Sequence, residues 1–273
     1  MESDAPRERL IAIYDIHGNY DQLYRVMQNI NPNPTKDKFI FGGDYIDRGP
    51  KSREVIQFLI DFSKFHNCVF LKGNHEDMFL GFLGFNERYS DRDFLHNGGM
   101  QTLESYGLSN DPHSNDLAAR MSPKHLAFLQ NLQTYHEDRG FVFVHAGLYP
   151  GESDPAESSE YERLWIQGLF LEYEGGWDGK TVVYGHTSEQ QSVNFKKDRI
   201  NMDSAAAYGG CLSACDVLSG EVWSARMNYP YWDKCAYIST GCANALGCTR
   251  HTSESINACG YHKYFEYLDS EYS

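Results

Sequence analysis

The chain has 273 residues, 41% hydrophobic and 23% charged, which suits a globular protein with a full core rather than a disordered or fibrous one. A formal net charge of −14 argues against nucleic acid or an anionic membrane as partner, because both require a basic face. No stretch approaches the roughly 20 apolar residues of a membrane span. The charged start, Met1 to Arg9, is followed by too short an apolar run for a signal peptide, so a cytoplasmic location is expected. The seven cysteines are then read as reduced thiols.

In chain order, Arg9 to Tyr14 reads as a buried strand. Asn19 three residues before Gln22 predicts a capping box, and Leu23, Val26, Met27 and Ile30 repeat with helical period behind it. A second strand, Lys38 to Phe41, is followed by a helix with Val55, Ile56, Leu59 and Ile60 on one face, then by a third strand, Cys68 to Leu71. This alternation predicts a parallel sheet covered by helices. Residues 76 to about 135 read as mainly helical, with a helix start at Ser122-Pro123, and the segment from about 80 to 135 is expected to form a helical cap beside the site. Strand signals return at Phe141–Val144, Thr181–Tyr184, Ile200–Met202, Leu212–Val217 and Glu221–Ala225, and are read as an antiparallel half. A catalytic domain over residues 1–226 is therefore expected. Residues 227–273, with seven tyrosines and four cysteines, are expected to form an extension packed on it.

The strands end in residues that bind metal or phosphate. The first ends in Asp15-Ile-His17-Gly18, the second in Gly43-Asp44-Tyr-Ile-Asp47-Arg48-Gly49 and the third in Gly73-Asn74-His75-Glu76. Later come His145-Ala-Gly147 and Gly185-His186. Ligands of open α/β sheets bind beyond the carboxyl ends of strands, so five segments would deliver Asp, His and Asn side chains to one edge. The donors are oxygen and nitrogen without thiolate, which suits Mn, Fe or Zn. Two divalent ions sharing a carboxylate such as Asp44 could activate water and neutralise a phosphoryl group together.

These five motifs, in this order, resemble the PPP-type protein serine/threonine phosphatases among the calcineurin-like metallophosphoesterases. The resemblance runs from about residue 9 to about 226 and is nearest to a bacterial and phage branch, since Asn97-Gly-Gly-Met-Gln-Thr-Leu-Glu-Ser-Tyr-Gly107 also resembles that branch. It implies an α/β fold of two mixed sheets packed face to face with helices outside. It implies that Asp15, His17 and Asp44 hold one metal, and that Asp44, Asn74, His145 and His186 hold the other. Mn is the first expectation, with Fe or Zn as alternatives. It further implies Arg48 and Asn74 as phosphate-binding residues, His75 as general acid and Asp47 as its orienting carboxylate, with direct attack by a hydroxide held between the metals. The family's second phosphate-binding arginine aligns with Gln167, and Arg163 is the nearby candidate to replace it. The implied activity is hydrolysis of phosphoserine and phosphothreonine in a phosphoprotein or phosphopeptide, with phosphotyrosine as an extension. The alternatives are a symmetrical diadenosine tetraphosphate hydrolase and an inactive metal-binding regulatory protein. Cys242, Cys248, His251, Cys259 and His262 in the tail form a weak zinc candidate, their spacing matching no short-gap motif.

Overall fold

The computed structural model describes residues 7–108, 117 and 119–226. Among these, ten strands follow in chain order: β1 (Arg9–Ile13), β2 (Asp37–Phe41), β3 (Asn67–Phe70), β4 (Tyr135–Asp138), β5 (Phe141–Val144), β6 (Thr181–Tyr184), β7 (Asn194–Phe195), β8 (Arg199–Asn201), β9 (Cys211–Asp216) and β10 (Glu221–Arg226). They form two sheets of five, in the orders β10-β9-β1-β2-β3 and β4-β5-β6-β8-β7. The expected pair of mixed sheets flanked by helices is the architecture observed. No helix among the described residues is long and apolar enough to cross a membrane.

The period of two in β1 explains the layering. Ile11 and Ile13 face one way, into a core with Leu23, Val26 and Ile30 of helix α1 (Tyr20–Ile30) and with Val55, Ile56 and Leu59 of α2 (Ser52–Phe62). Leu10, Ala12 and Tyr14 face the other way, where they meet Phe143, Val183, Ile200 and Met202 of the second sheet. Behind that sheet, Val142, Val144, Val182 and Tyr184 pack against Phe170 and Trp177.

Two expectations are corrected. The later strands do not form an antiparallel half. β5, β6 and β8 run parallel, β4 and β7 are antiparallel edges, and the β9–β10 hairpin returns to pair with β1. A turn at Ser219-Gly220 closes that hairpin, but turn residues say nothing about which sheet a hairpin joins. Asn19 and Gln22 do not cap one another. The Asn19 amide donates to the Ile16 and His17 carbonyls, and that of Gln22 to the Gly210 carbonyl, 188 residues away. The segment expected as a helical cap packs on the first sheet through Phe94, Leu103, Leu117 and Leu129, and its Asn97–Thr102 stretch reaches Arg48 and Asp47. The tail, with its zinc candidate, lies outside the described residues.

Tyr14 is buried between the sheets and donates its hydroxyl to the Val183 carbonyl at 3.1 Å, so it belongs to the core. Its ring fills the space beside Gly42, where a Cβ would lie 2.0 Å from two ring carbons. Overpacking of this kind costs about 1–3 kcal/mol. Gly42→Ala should therefore lower the urea midpoint of unfolding by that much stability. An unchanged midpoint would show that the ring can move aside.

Candidate metal centre

The strand ends converge as the motifs imply. Asp15 and His17 follow β1, Asp44, Asp47 and Arg48 follow β2, Asn74 and His75 open helix α3 (Asn74–Phe82), His145 follows β5 and His186 follows β6. The ring nitrogens and carboxylate oxygens of His17, Asp44 and His75 lie within 4.8 Å of one another, and so do those of Asp44, His145 and His186. Asp44 belongs to both groups. Its Oδ2 is 3.4 Å from His17 Nε2, and its Oδ1 is 3.4 Å from His145 Nε2. Asn74 Oδ1 lies 2.9 Å from His145 Nε2 and 3.0 Å from His186 Nδ1. The Asp15 carboxylate accepts the His186 backbone N–H at 3.0 Å and stands beside Asp44.

The backbone is strained where these side chains project. Among the described residues, ten non-glycine residues have positive φ, and six of them are Asp15, His17, Asp44, Asp47, Arg48 and His186. Each costs roughly 1–2 kcal/mol, so the surroundings must hold them there. Glu76 is the main restraint. Fully buried, it accepts N–H bonds from Gly73, Asp44, Tyr45 and Ile46 at 2.9, 2.8, 2.8 and 3.3 Å, clamping the loop after β2 to the start of α3. The segment Asn97 to Thr102 supplies the second restraint. Gly98 accepts the Arg48 N–H at 3.0 Å, and a Cβ there would lie 2.8 Å from Arg48. The Thr102 hydroxyl accepts the Asp47 N–H at 2.8 Å and donates to the Asp47 carboxylate at 2.6 Å.

The donor set fits divalent cations. His17 and His145 direct Nδ1 at the carbonyls of Ile46 and Gly42, at 3.0 and 2.9 Å. That fixes the tautomer and leaves Nε2 with a lone pair for a metal. Burial drives His145 down to about 4 and His186 to about 3, so both imidazoles are neutral, as ligands must be. Burial conversely raises Asp44 to about 7 and Asp203 to about 6, and pushes Asp15 well up. Arg48 is the one cation that opposes this in all three cases, and its guanidinium sits 2.9 Å from His17 Nε2. A pocket of neutral imidazoles and charge-starved carboxylates is what a divalent cation relieves.

His75 stands apart from the other imidazoles in its partners. Its Nδ1 meets the Asp47 carboxylate at 2.7 Å, while its Nε2 is buried without a hydrogen-bond partner, 3.8 Å from Asp44 Oδ2. An orphaned ring nitrogen beside the shared carboxylate is placed to meet a ligand or a reacting oxygen.

Two arginine positions come out differently. Arg163 bonds the Pro155 and Ser158 carbonyls and stacks over Tyr135, so its guanidinium braces the 155–158 loop and is not available as a phosphate fork. Gln167 is at the site, its Nε2 lying 3.1 Å from His186 Nε2, so an uncharged amide occupies the aligned position. Sequence reasoning missed Asp203, which is buried, raises the Asp15 pKa by its charge, and is fixed by accepting the Ala205 N–H at 2.9 Å. It follows β8 as the other candidates follow their strands, and that shared position was the available signal. Among the remaining histidines, His66 stacks on Phe62, His125 bonds Tyr106 and Gln57, and His136 bonds Lys38. His113 lies outside the described residues.

Two mixed sheets with paired Asp/His clusters sharing one carboxylate at the strand ends define a metal-dependent phosphoesterase. Residues 9–190 match the calcineurin-like phosphoesterase family model, and the chain belongs to that family. It is 26% identical over 249 residues to an asymmetrical bis(5'-nucleosyl)-tetraphosphatase PrpE of Anoxybacillus flavithermus, covering 80% of this chain and 94% of that one. It is 27% identical over 162 residues to a symmetrical bis(5'-nucleosyl)-tetraphosphatase of Methylococcus capsulatus, covering 58% of this chain and 51% of that one. A crystal structure provisionally named as a diadenosine tetraphosphatase shares the fold, with a TM-score of 0.58 and 21% identity over 81% of this chain and 95% of that one.

The charge state predicts proton release on metal uptake. With Asp44 at about 7 and the imidazoles at about 4 and 3, the demetallated site at pH 6.5 holds protons on carboxylates and none on His145 or His186. Adding Mn²⁺ in weak buffer at pH 6.5 should therefore release protons. Proton uptake at that pH would contradict these assignments.

Proposed function

We propose that the protein hydrolyses dinucleoside tetraphosphates with two divalent cations, manganese being the first choice. The observation that carries this reading is the alignment along 94% of the length of a dinucleoside tetraphosphatase. It favours the substrate class of the alternative, a symmetrical diadenosine tetraphosphate hydrolase, over phosphoprotein hydrolysis, the first expectation from sequence, while the relative aligned along most of its length is named as asymmetrical. Asp15, His17, Asp44, Asn74, His145 and His186 would hold the cations, with Asp203 setting the charge behind them. Bound there, the cations would supply Lewis acidity and lower the pKa of water at neutral pH.

The side chains divide the remaining work. Arg48 presents a planar fork to phosphate oxygens, and Asn74 can offer its amide N–H. His75 would hold a proton at Nε2 for the departing oxygen, against burial and Arg48, which both lower its pKa, while Asp47, bonded to Nδ1 and to Thr102, keeps the ring oriented. The uncharged Gln167 leaves Arg48 as the arginine at the site. Phosphate oxygens then depend more on the cations than they would with two guanidinium groups.

Phosphoprotein hydrolysis is the second reading, favoured by the His75–Asp47 pair. A serine alkoxide leaves poorly without a proton, whereas a nucleotide phosphate, with a second pKa of about 6, leaves well unaided. The two readings therefore separate by assay. The metal-loaded protein should convert diadenosine tetraphosphate mainly to ATP and AMP, the asymmetrical outcome. ADP alone would make cleavage symmetrical, and turnover confined to phosphopeptides would overturn the proposal. His75→Asn should retain metal and lose activity within the roughly 10²–10⁴ range of a general acid, near its lower end on the dinucleotide. Loss of bound metal in that variant would make His75 a ligand instead.

A further inference from the structure

Tyr208 is unlike the other exposed aromatic residues. It is 59% exposed, yet its ring lies against the Arg48 guanidinium, 5.1 Å from ring centroid to Cζ. Among the described residues, Tyr24, Phe65, Phe85, Tyr149 and Phe195 are also large and exposed, but none has a ring contact to a candidate site residue. Tyr161 approaches the centre only through Trp165, on which it stacks and whose ring stands 5.9 Å from His186.

The turn that carries Tyr208 is held rigidly at the metal centre. It follows Asp203 directly and forms a single 3-10 turn, Ala206–Tyr208. Ala205, at its start, has a left-handed backbone with φ 62°, an unfavourable conformation for alanine. Asp203 fixes it by accepting the Ala205 N–H, and the Ala205 carbonyl accepts the N–H groups of Tyr208 and Gly210 at 3.0 and 2.8 Å. Ala206 and Ala207 are buried, and the buried Gln22 amide donates to the Gly210 carbonyl at 3.2 Å. The exposed ring therefore rides on a fixed base, and strain held at such a place points to function.

We propose that Tyr208 is a specificity-determining residue, its ring being the platform on which one nucleobase of the dinucleotide stacks while Arg48 takes the adjoining phosphates. This rests on the dinucleotide reading above. Aromatic rings stack on any base, because every base has a π-face, so the platform selects nucleotides over base-free phosphates without selecting among bases. The guanidinium against the ring links the two halves of the ligand. A nucleotide has its base and its phosphates a few bonds apart, and Tyr208 and Arg48 offer a partner for each in direct contact.

Steady-state kinetics on the metal-loaded protein test this with two substrates, diadenosine tetraphosphate and inorganic tetrapolyphosphate. Tyr208→Ala should raise KM for the dinucleotide by between about fivefold and a hundredfold, the range for one stacked base. That rise should exceed the rise for tetrapolyphosphate at least about fivefold. Tyr208→Phe should restore the dinucleotide KM to within about threefold of the original, because stacking needs the ring and not the hydroxyl. Inhibition by AMP should weaken in Tyr208→Ala more than inhibition by phosphate. Equal rises for both substrates would mean that Tyr208 only steadies Arg48, and would overturn the proposal while leaving the dinucleotide reading intact. Absence of dinucleotide turnover by the unaltered protein would overturn that reading and the platform with it.

Discussion

The arrangement of the centre depends on one buried carboxylate that belongs to neither candidate metal cluster. Glu76 gathers four backbone N–H groups from two separate strand ends, and so determines where Asp44 points. Asp44 has a left-handed backbone and a fully desolvated side chain, neither of which it would keep if the loop were free. Glu76 holds the loop without adding an unpaired charge, because its own oxygens are satisfied by N–H donors. Both halves of the centre share Asp44, so both rely on that clamp.

Around this clamp the site is electrostatically unfinished. Asp15, Asp44 and Asp203 are buried together, and Arg48 is the cation that opposes their burial in each case. Burying carboxylates at this density is unfavourable unless positive charge joins them. The neutral histidines cannot provide it, since burial and Arg48 both disfavour their protonation. The fold thus supplies the neutral imidazoles that divalent ions require, and carboxylates that must give up protons as the ions bind, with a strained backbone as the cost.

The core and the site are linked through β1. Its alternate residues serve the helices on one side and the opposing sheet on the other, and the same strand ends in Asp15 and His17. Tyr14, one residue before Asp15, anchors that strand end to the second sheet through Val183. His186, which lies two residues after β6, donates its backbone N–H to Asp15. Packing between the sheets therefore sets the distance across the metal centre.

Much of this was legible in the amino-acid order. Strand-helix alternation over residues 9–71 gave the parallel half of the first sheet, and the Asp, His and Asn residues after each strand gave the donor set, because short-range periodicity and strand-end chemistry are local properties. The partners of those residues were not legible, because they come from distant segments. Asp15 meets His186 across 171 positions, and Asp47 meets Thr102 across 55. The sheet joined by the β9–β10 hairpin, the diversion of Arg163 into its own loop, the burial of Asp203 behind Asp15 and the seating of Tyr208 on Arg48 all follow from which surfaces pack together. Sequence alone determined that metal and phosphate chemistry lies at the strand ends. Only the tertiary structure decided which residues stand beside it, since burial and charge coupling arise from neighbours in space rather than along the chain.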